Sequence, residues 1–108
     1  MMSNCKYDHA RELFSDAVEI LVTSEKDLQH RLYEVYERIY HLHHTELPNE
    51  LLKDYLEIES ILEKIKVHYI SPELSIPEKK LNIRNKTGIR VAHIIWNIYY
   101  ELHFNDKY

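Results

Sequence analysis

Residues 38–48 of the chain read RIYHLHHTELP and bring three histidines, His41, His43 and His44, into four positions. On a helix, which turns about 100° per residue, His41 and His44 share a face with Glu37. Imidazole and carboxylate groups bind zinc, nickel or iron, so Glu37, His41 and His44 are metal-site candidates. This face points away from the apolar stripe, whereas a buried bundle site needs ligands that face inward from several helices. We therefore favour a solvated face and expect no metal and no cofactor.

The spacing of Arg38 from His43 or His44 resembles the R-x4–6-H pattern of the HEPN helical ribonucleases. The resemblance implies a helical ribonuclease in which Arg38 and one of these histidines are catalytic. The chain departs from the family pattern, because Ile39 stands where the family usually has a polar residue and the pair lies on the second predicted helix. No serine or cysteine stands in a recognisable motif with a histidine and an acid, so we predict no other nucleophile. The ribonuclease is kept as an alternative to a non-catalytic function.

A short basic segment, residues 79–90, interrupts an acidic chain. It contains five of the fourteen lysines and arginines and no acidic residue, whereas the net charge of the whole chain is −4. It leads into the last predicted helix, for which Thr87 is the expected N-cap, and the free N–H groups of a helix start favour anions. The segment is a candidate site for an anion, for nucleic acid or for the acidic surface of a protein partner. Its basic residues are Lys79, Lys80, Arg84, Lys86 and Arg90.

The last predicted helix is apolar over most of its circumference. Apolar and aromatic side chains from Val91 to Leu102 spread over roughly 220°, whereas a helix that packs on one side needs a stripe of about 100° or more. Either this helix is central in the fold, or a second copy of the chain covers its outer side. Trp96, Tyr99 and Tyr100 are of residue types enriched at interfaces. We predict a homodimer whose interface contains these three residues.

Hydrophobic periodicity predicts four helices, and short breaks between the first three favour antiparallel neighbours. The second helix is expected to begin at Ser24, a residue type that caps helix N-termini. A Pro-containing connector over residues 71–85 precedes the last helix. The predicted helices span about residues 5–23, 24–44, 49–69 and 86–104. The predicted fold is all-α, an antiparallel four-helix bundle in a single domain of residues 1–108, with three long helices, the connector and a strongly apolar last helix.

Composition narrows the class of protein further. The chain of 108 residues has one glycine and one cysteine, which argues against all-β folds, phosphate-binding loops and internal disulfides. We find no secretory signal and no apolar run long enough to cross a bilayer, so we expect a cytoplasmic protein without a membrane partner. The sequence favours a protein-interaction or regulatory bundle. An anion-binding or nucleic-acid-binding module is a further alternative, although the acidic body of the chain would repel nucleic acid.

Overall fold

The structure, a computed structural model, describes residues 5–64, 67–70, 78–81 and 83–108. Four α-helices and one pair of β-strands make up this part of the chain. The helices are α1 (Asp8–Thr23), α2 (Leu28–Ile39), α3 (Asn49–Lys64) and α4 (Asn85–Phe104), and the strands are β1 (Val67–Ile70) and β2 (Glu78–Leu81). Single 3-10 turns precede α1 at Cys5–Tyr7 and α3 at His44–Glu46. The predicted helical character and the four predicted helices are confirmed.

One hydrophobic core joins all four helices. Its largest side chains include Phe14 of α1, Leu32 of α2, Tyr55 of α3 and Ile95 of α4, all of which are almost completely buried. Neighbouring core positions on each helix lie three or four residues apart, as expected for one buried face. Among the described side chains, no polar or charged residue is fully buried in this core. Burial of each large apolar side chain stabilises the fold by roughly 1.5–3 kcal/mol, and this burial fixes which face of each helix points outward.

The link between α1 and α2 is longer than the sequence predicted. Ser24 ends α1, and its backbone N–H donates to the carbonyl of Ile20 at 3.1 Å. The N-cap of α2 is Asp27, whose carboxylate accepts a hydrogen bond from the backbone N–H of His30 at 3.0 Å. The expected N-cap at Ser24 is therefore wrong. Both residue types can cap a helix, and the chain uses Asp27 because residues 24–27 form the reversal between the two helices.

The second helix ends at Ile39, about five residues before the predicted end at His44. Tyr40 caps it, and the chain then turns so that Leu42 and Leu47 enter the core from outside any α-helix. Leu42 lies three residues after Ile39, so its burial matches a helical spacing even though the helix has already ended. His41, His43 and His44 consequently do not lie on a face of α2.

Residues 67–70 pair with residues 78–81 as an antiparallel ladder, with Val67 opposite Leu81 and Ile70 opposite Glu78. The third helix was predicted to continue to about residue 69, and the pairing corrects that expectation. Residues 67–70 (VHYI) contain two β-branched residues and one aromatic residue, types that favour strands. Lys79 and Lys80 therefore lie on β2, not in an unpaired connector.

The start of α4 is fixed by α2. The side-chain amide of Gln29 donates to the carbonyl of Ile83 at 3.2 Å and to the Asn85 side chain at 2.8 Å. Arg84 occupies the N-cap position without a side-chain cap, so the expected cap at Thr87 is wrong. Gly88 is buried against α2, where a Cβ atom would lie 2.9 Å from Cδ2 of Leu28. This close approach brings the first turn of α4 onto the first turn of α2.

Candidate interaction surface

An exposed apolar stripe runs along the outside of α4. Four of its members keep about half or more of their surface accessible: Ile89 52 %, Trp96 50 %, Tyr100 49 % and Phe104 62 %. Together with the exposed His93 they follow a spacing of four, three, four and four residues, which places them on one side of the helix. We call Ile89, His93, Trp96, Tyr100 and Phe104 the outer stripe. It is the largest group of exposed apolar side chains on any described helix.

The outer stripe lies opposite the face that packs into the core. On that inner face Val91, Ile95, Ile98 and Leu102 are almost completely buried. The helix thus buries one apolar face in its own chain and leaves a second apolar face in solvent. The wide apolar arc of α4 was expected either because the helix is central in the fold or because a second copy covers its outer side. The exposure of the outer stripe does not fit a helix that its own chain encloses on all sides.

The aromatic rings of the outer stripe rest on one another. The ring centroids of Trp96 and Tyr100 lie 6.2 Å apart, and those of Tyr100 and Phe104 lie 5.0 Å apart. Tyr99 is half-buried at the edge of the stripe, with its ring 5.4 Å from that of Trp96. Rings that are already packed lose less conformational freedom on binding than free side chains, so this surface is prepared for contact.

A groove between α1 and α4 continues the outer stripe sideways. Its volume is about 300 Å³, and its lining is apolar except for one imidazole, that of His93. An apolar cavity of about 150 Å³ is enough to hold a benzene ring, so the groove has room for a large side chain of a partner. The lining residues are Val18, Leu21, Val22, Leu28, Ile89, Ala92, His93 and Trp96.

Polar contacts with α3 border the other side of the outer stripe. The guanidinium of Arg90 pairs with the carboxylate of Glu57, and the amide of Asn97 donates to Asp54 at 3.3 Å. Further along α4, Glu101 accepts a hydrogen bond from the amide of Asn105 at 2.8 Å. The outer stripe is therefore an apolar strip with a charged rim, which is the usual anatomy of a protein interface.

Contacts with α1 fix the carboxyl-terminal end of α4. Nε of Arg11 donates to the carbonyl of Leu102 at 3.0 Å, and a second nitrogen of the same guanidinium donates to the carbonyl of Tyr108. The hydroxyl of Tyr108 donates to the carboxylate of Glu50 at 3.2 Å. The pKa of Glu50 is lowered first by a hydrogen bond from its own backbone N–H and then by this one. These contacts join the end of α4 to α1, and the residue Tyr108 beyond it to both α1 and α3.

The predicted basic segment is divided between two elements. Lys79 and Lys80 belong to β2, whereas Arg84 and Lys86 are exposed at the start of α4. Arg90 is exposed on the next turn, but its charge is partly neutralised by Glu57. Binding of an anion, a nucleic acid or an acidic partner by this segment stays a prediction.

The histidine-rich stretch is dispersed by the turn that follows α2. Nε2 of His44 lies 3.1 Å from the carboxylate of Glu59 on α3, and Nδ1 of His43 lies 3.1 Å from the hydroxyl of Thr45. His41 stacks on the ring of Tyr40, with centroids 3.9 Å apart. The structure does not gather Glu37, His41 and His44, and the described residues contain no group of three or more metal-binding side chains.

Arg38 lies among acidic neighbours on the exposed side of α2. It lines an open pocket with Ile20, Glu34 and Glu37, while His44 faces Glu59 on α3. The arrangement expected for a helical ribonuclease needs Arg38 and a histidine to meet beside the basic segment. The contacts of the described side chains give that alternative no support.

Several members of the surface were absent from the predicted interface. Ile89 and Phe104 extend the outer stripe at both ends, and their spacing from Trp96 and Tyr100 was a usable signal. Val22, which is 76 % exposed at the end of α1, gave no such signal, because it lies on another helix and joins the surface only through the groove between α1 and α4. Tyr99, a predicted interface residue, contacts the core and the stripe together.

Comparison of the chain with protein-family models, with curated proteins and with solved structures gave no match. A proposal for the function therefore rests on the geometry of this surface. Within the described ranges, every helix is too short or too polar to cross a membrane.

Proposed function

We propose that this chain is a non-catalytic helical bundle that functions by binding protein, and that its first partner is a second copy of the chain. One observation carries the proposal: α4 exposes an apolar stripe on the side opposite its buried face. Monomeric proteins rarely expose large contiguous apolar patches, and such patches mark interaction surfaces. Trp96 and Tyr100 were predicted interface residues, and both lie in the middle of this stripe.

The energetics of the outer stripe favour association. Full burial of a large apolar side chain contributes roughly 1.5–3 kcal/mol, so a half-exposed one retains about 1 kcal/mol that a partner can realise. Ile89, Trp96, Tyr100 and Phe104 each retain such a contribution. The rings are already packed together, which reduces the entropy lost on binding. A regulatory role and a cytoplasmic location stay predictions.

We also infer that the four helices form an antiparallel bundle. Support comes from pairs that cross between helices: Asp54 and Glu57 of α3 contact Asn97 and Arg90 of α4, in reverse chain order. Arg11, near the start of α1, contacts the last turn of α4 at Leu102. The groove residues at the end of α1 meet the first half of α4. Both α1 and α3 therefore run against α4.

The proposal is tested by the mass of the particle in solution. We expect light scattering at micromolar concentration to give about twice the chain mass of 13.1 kDa. Trp96→Glu and Tyr100→Glu should each return the mass to that of one chain, because a carboxylate in an apolar contact pays a large desolvation cost. Helical circular dichroism should be unchanged, because both rings are half in solvent.

Tyr40→Glu is the matched control. Tyr40 is 53 % exposed, like the stripe residues, but it caps α2 away from the outer stripe. This variant should keep the dimer mass. A wild-type mass of one chain at every accessible concentration would contradict self-association. Loss of helicity in both stripe variants would instead assign Trp96 and Tyr100 to the monomer core.

A further inference from the structure

The outer stripe of α4 is symmetric about its own middle. Ile89 and Phe104 lie equally far along the chain from the point between Trp96 and Asn97, and so do His93 and Tyr100. Two antiparallel helices bring positions into contact that lie equally far on opposite sides of a shared centre. An antiparallel pair of α4 helices would therefore place Ile89 against Phe104 of the other copy, and His93 against Tyr100.

The charged rim of the stripe has a similar relation. Arg90 and Glu101 lie on the same side of α4, 6.5 residues before and 4.5 residues after the middle of the stripe, and their long side chains can span the difference of about 3 Å. In an antiparallel pair each Arg90 meets the Glu101 of the other copy, so opposite charges face each other at two places. In a parallel two-fold pair the charged rims of the two copies would lie on opposite sides of the contact, so Arg90 of one copy could not reach Glu101 of the other. Only the antiparallel orientation brings these opposite charges together, so the charges favour it.

We propose that two copies of the chain associate through antiparallel α4 helices, around a two-fold axis that passes near Trp96. This inference rests on the proposed function and specifies its geometry. A two-fold contact uses the same surface on both copies, which is the commonest form of self-association. Arg90 also pairs with Glu57 of its own chain, and a guanidinium has five N–H donors, so it can hold a second carboxylate.

The size of the surface requires more than the stripe alone. From Ile89 to Phe104 the stripe is about 22 Å long, on a helix about 10 Å wide. A stable interface buries roughly 800 Å² on each partner, so side chains beside the stripe must take part. The groove beside Ile89 and Trp96 supplies that surface, since Val18 and Val22 continue the apolar area onto α1. We place the edge of the interface at Val22.

Charge reversal tests the orientation. Arg90→Glu and Glu101→Arg should each raise the dissociation constant of the dimer about tenfold at low salt, because each replaces two attractive contacts with two repulsive ones. The double variant with both changes should restore the wild-type value, because opposite charges again face each other. Sedimentation equilibrium on the full chain measures all four constants.

The double variant also separates effects inside one chain from effects between chains. Arg90→Glu places a carboxylate beside Glu57, and this repulsion persists in the double variant. Restored association can therefore come only from the other copy. Glu57→Gln removes the internal ion pair without reversing the charge of Arg90, and it should leave the dissociation constant within about twofold of wild type.

The other possible results would contradict either the antiparallel orientation or self-association itself. If the wild type is a dimer but the single variants bind as tightly as it does, the antiparallel register is wrong and self-association stands. If the double variant is weaker than both single variants, Arg90 and Glu101 of the two copies do not face each other, and the antiparallel arrangement is wrong. If the wild type has the mass of one chain throughout, a second copy is excluded as the occupant of the outer stripe, and the proposed self-association fails with it.

Discussion

Tyr55 shows how one polar atom is accommodated in the apolar core. Its ring is buried edge-on against Phe14, with centroids 6.3 Å apart, and its hydroxyl donates to the carbonyl of Ile39 at 3.1 Å. Burial raises the pKa of this phenol well above its ordinary value of 10.0, and the negative charges of Glu59 and Glu63 raise it further. Tyr55 therefore stays neutral in the folded protein at pH values where an exposed tyrosine has ionised.

This pKa shift predicts alkaline destabilisation. Below pH 10 the phenol is neutral in both the folded and the unfolded chain, and its contribution to stability is fully present. Above pH 10 the unfolded chain loses this proton while the folded chain keeps it, so stability falls as the pH rises towards the folded pKa. We expect the free energy of unfolding, measured with urea, to decline between pH 9 and 11 more steeply in the wild type than in Tyr55→Phe.

At pH 7 the same substitution should cost only about 0.5–1.5 kcal/mol, the net value of one hydrogen bond. The carbonyl of Ile39 keeps a second donor, the N–H of Leu42 at 2.9 Å, so no buried group loses its last partner. Tyr40→Phe serves as the control, because Tyr40 is exposed. Equal alkaline slopes in the wild type and Tyr55→Phe would show that other tyrosines cause the decline.

At the scale of the elements, periodicity located α1, the start of α3 and the extent of α4 closely. Periodicity failed at the end of α2. Leu42 keeps the helical spacing of α2, but it enters the core from the turn that follows the helix. Only the path of the chain to Leu47 distinguishes a buried residue of the turn from a further turn of the helix. Residues 67–70 have residue types that favour a strand, but the segment that pairs with them, residues 78–81, is not indicated by the local pattern.

The interaction surface could likewise be predicted only in part, because contacts between helices decide its position. The wide apolar arc of α4 pointed to Trp96 and Tyr100 as interface residues. Which half of the arc turns inward depends on contacts from other helices, such as Leu28 against Gly88, and these are not encoded in the spacing along α4. The groove could not be predicted from the spacing along α4, because Val18 and Val22 belong to α1.

The N-cap of α2 gives a prediction at this scale. The carboxylate of Asp27 accepts from the backbone N–H of His30 and also lies 2.6 Å from its imidazole. Asp27→Ala should lower the free energy of unfolding by about 0.5–2 kcal/mol, the usual value of a lost N-cap. Ser24→Ala is the matched control and should cost less, because Ser24 ends α1 and its hydroxyl accepts only a 3.3 Å contact from Lys26. Urea titration at pH 7 compares them, and a larger loss at Ser24 would restore it as the cap.

For the whole molecule, net charge and local charge act in opposite directions on self-association. Each copy carries a net charge of −4, so two copies repel at long range. At physiological ionic strength the Debye length is about 8 Å, which screens much of this repulsion but leaves contacts across an interface in force. The two expected contacts between Arg90 and Glu101 act at short range, so the dimer is compatible with an acidic chain.

Self-association also links stability to concentration. A partner that binds only the folded chain stabilises it by mass action, so the melting temperature of a dimer rises with protein concentration. We expect the melting temperature of the wild type to rise between about 1 μM and 100 μM, whereas that of Trp96→Glu should stay constant. Tyr40→Glu should behave like the wild type, because it leaves the outer stripe intact. Circular dichroism at matched path lengths measures the three proteins. A constant wild-type melting temperature would mean that the exposed face of α4 gains nothing from a second copy over this range.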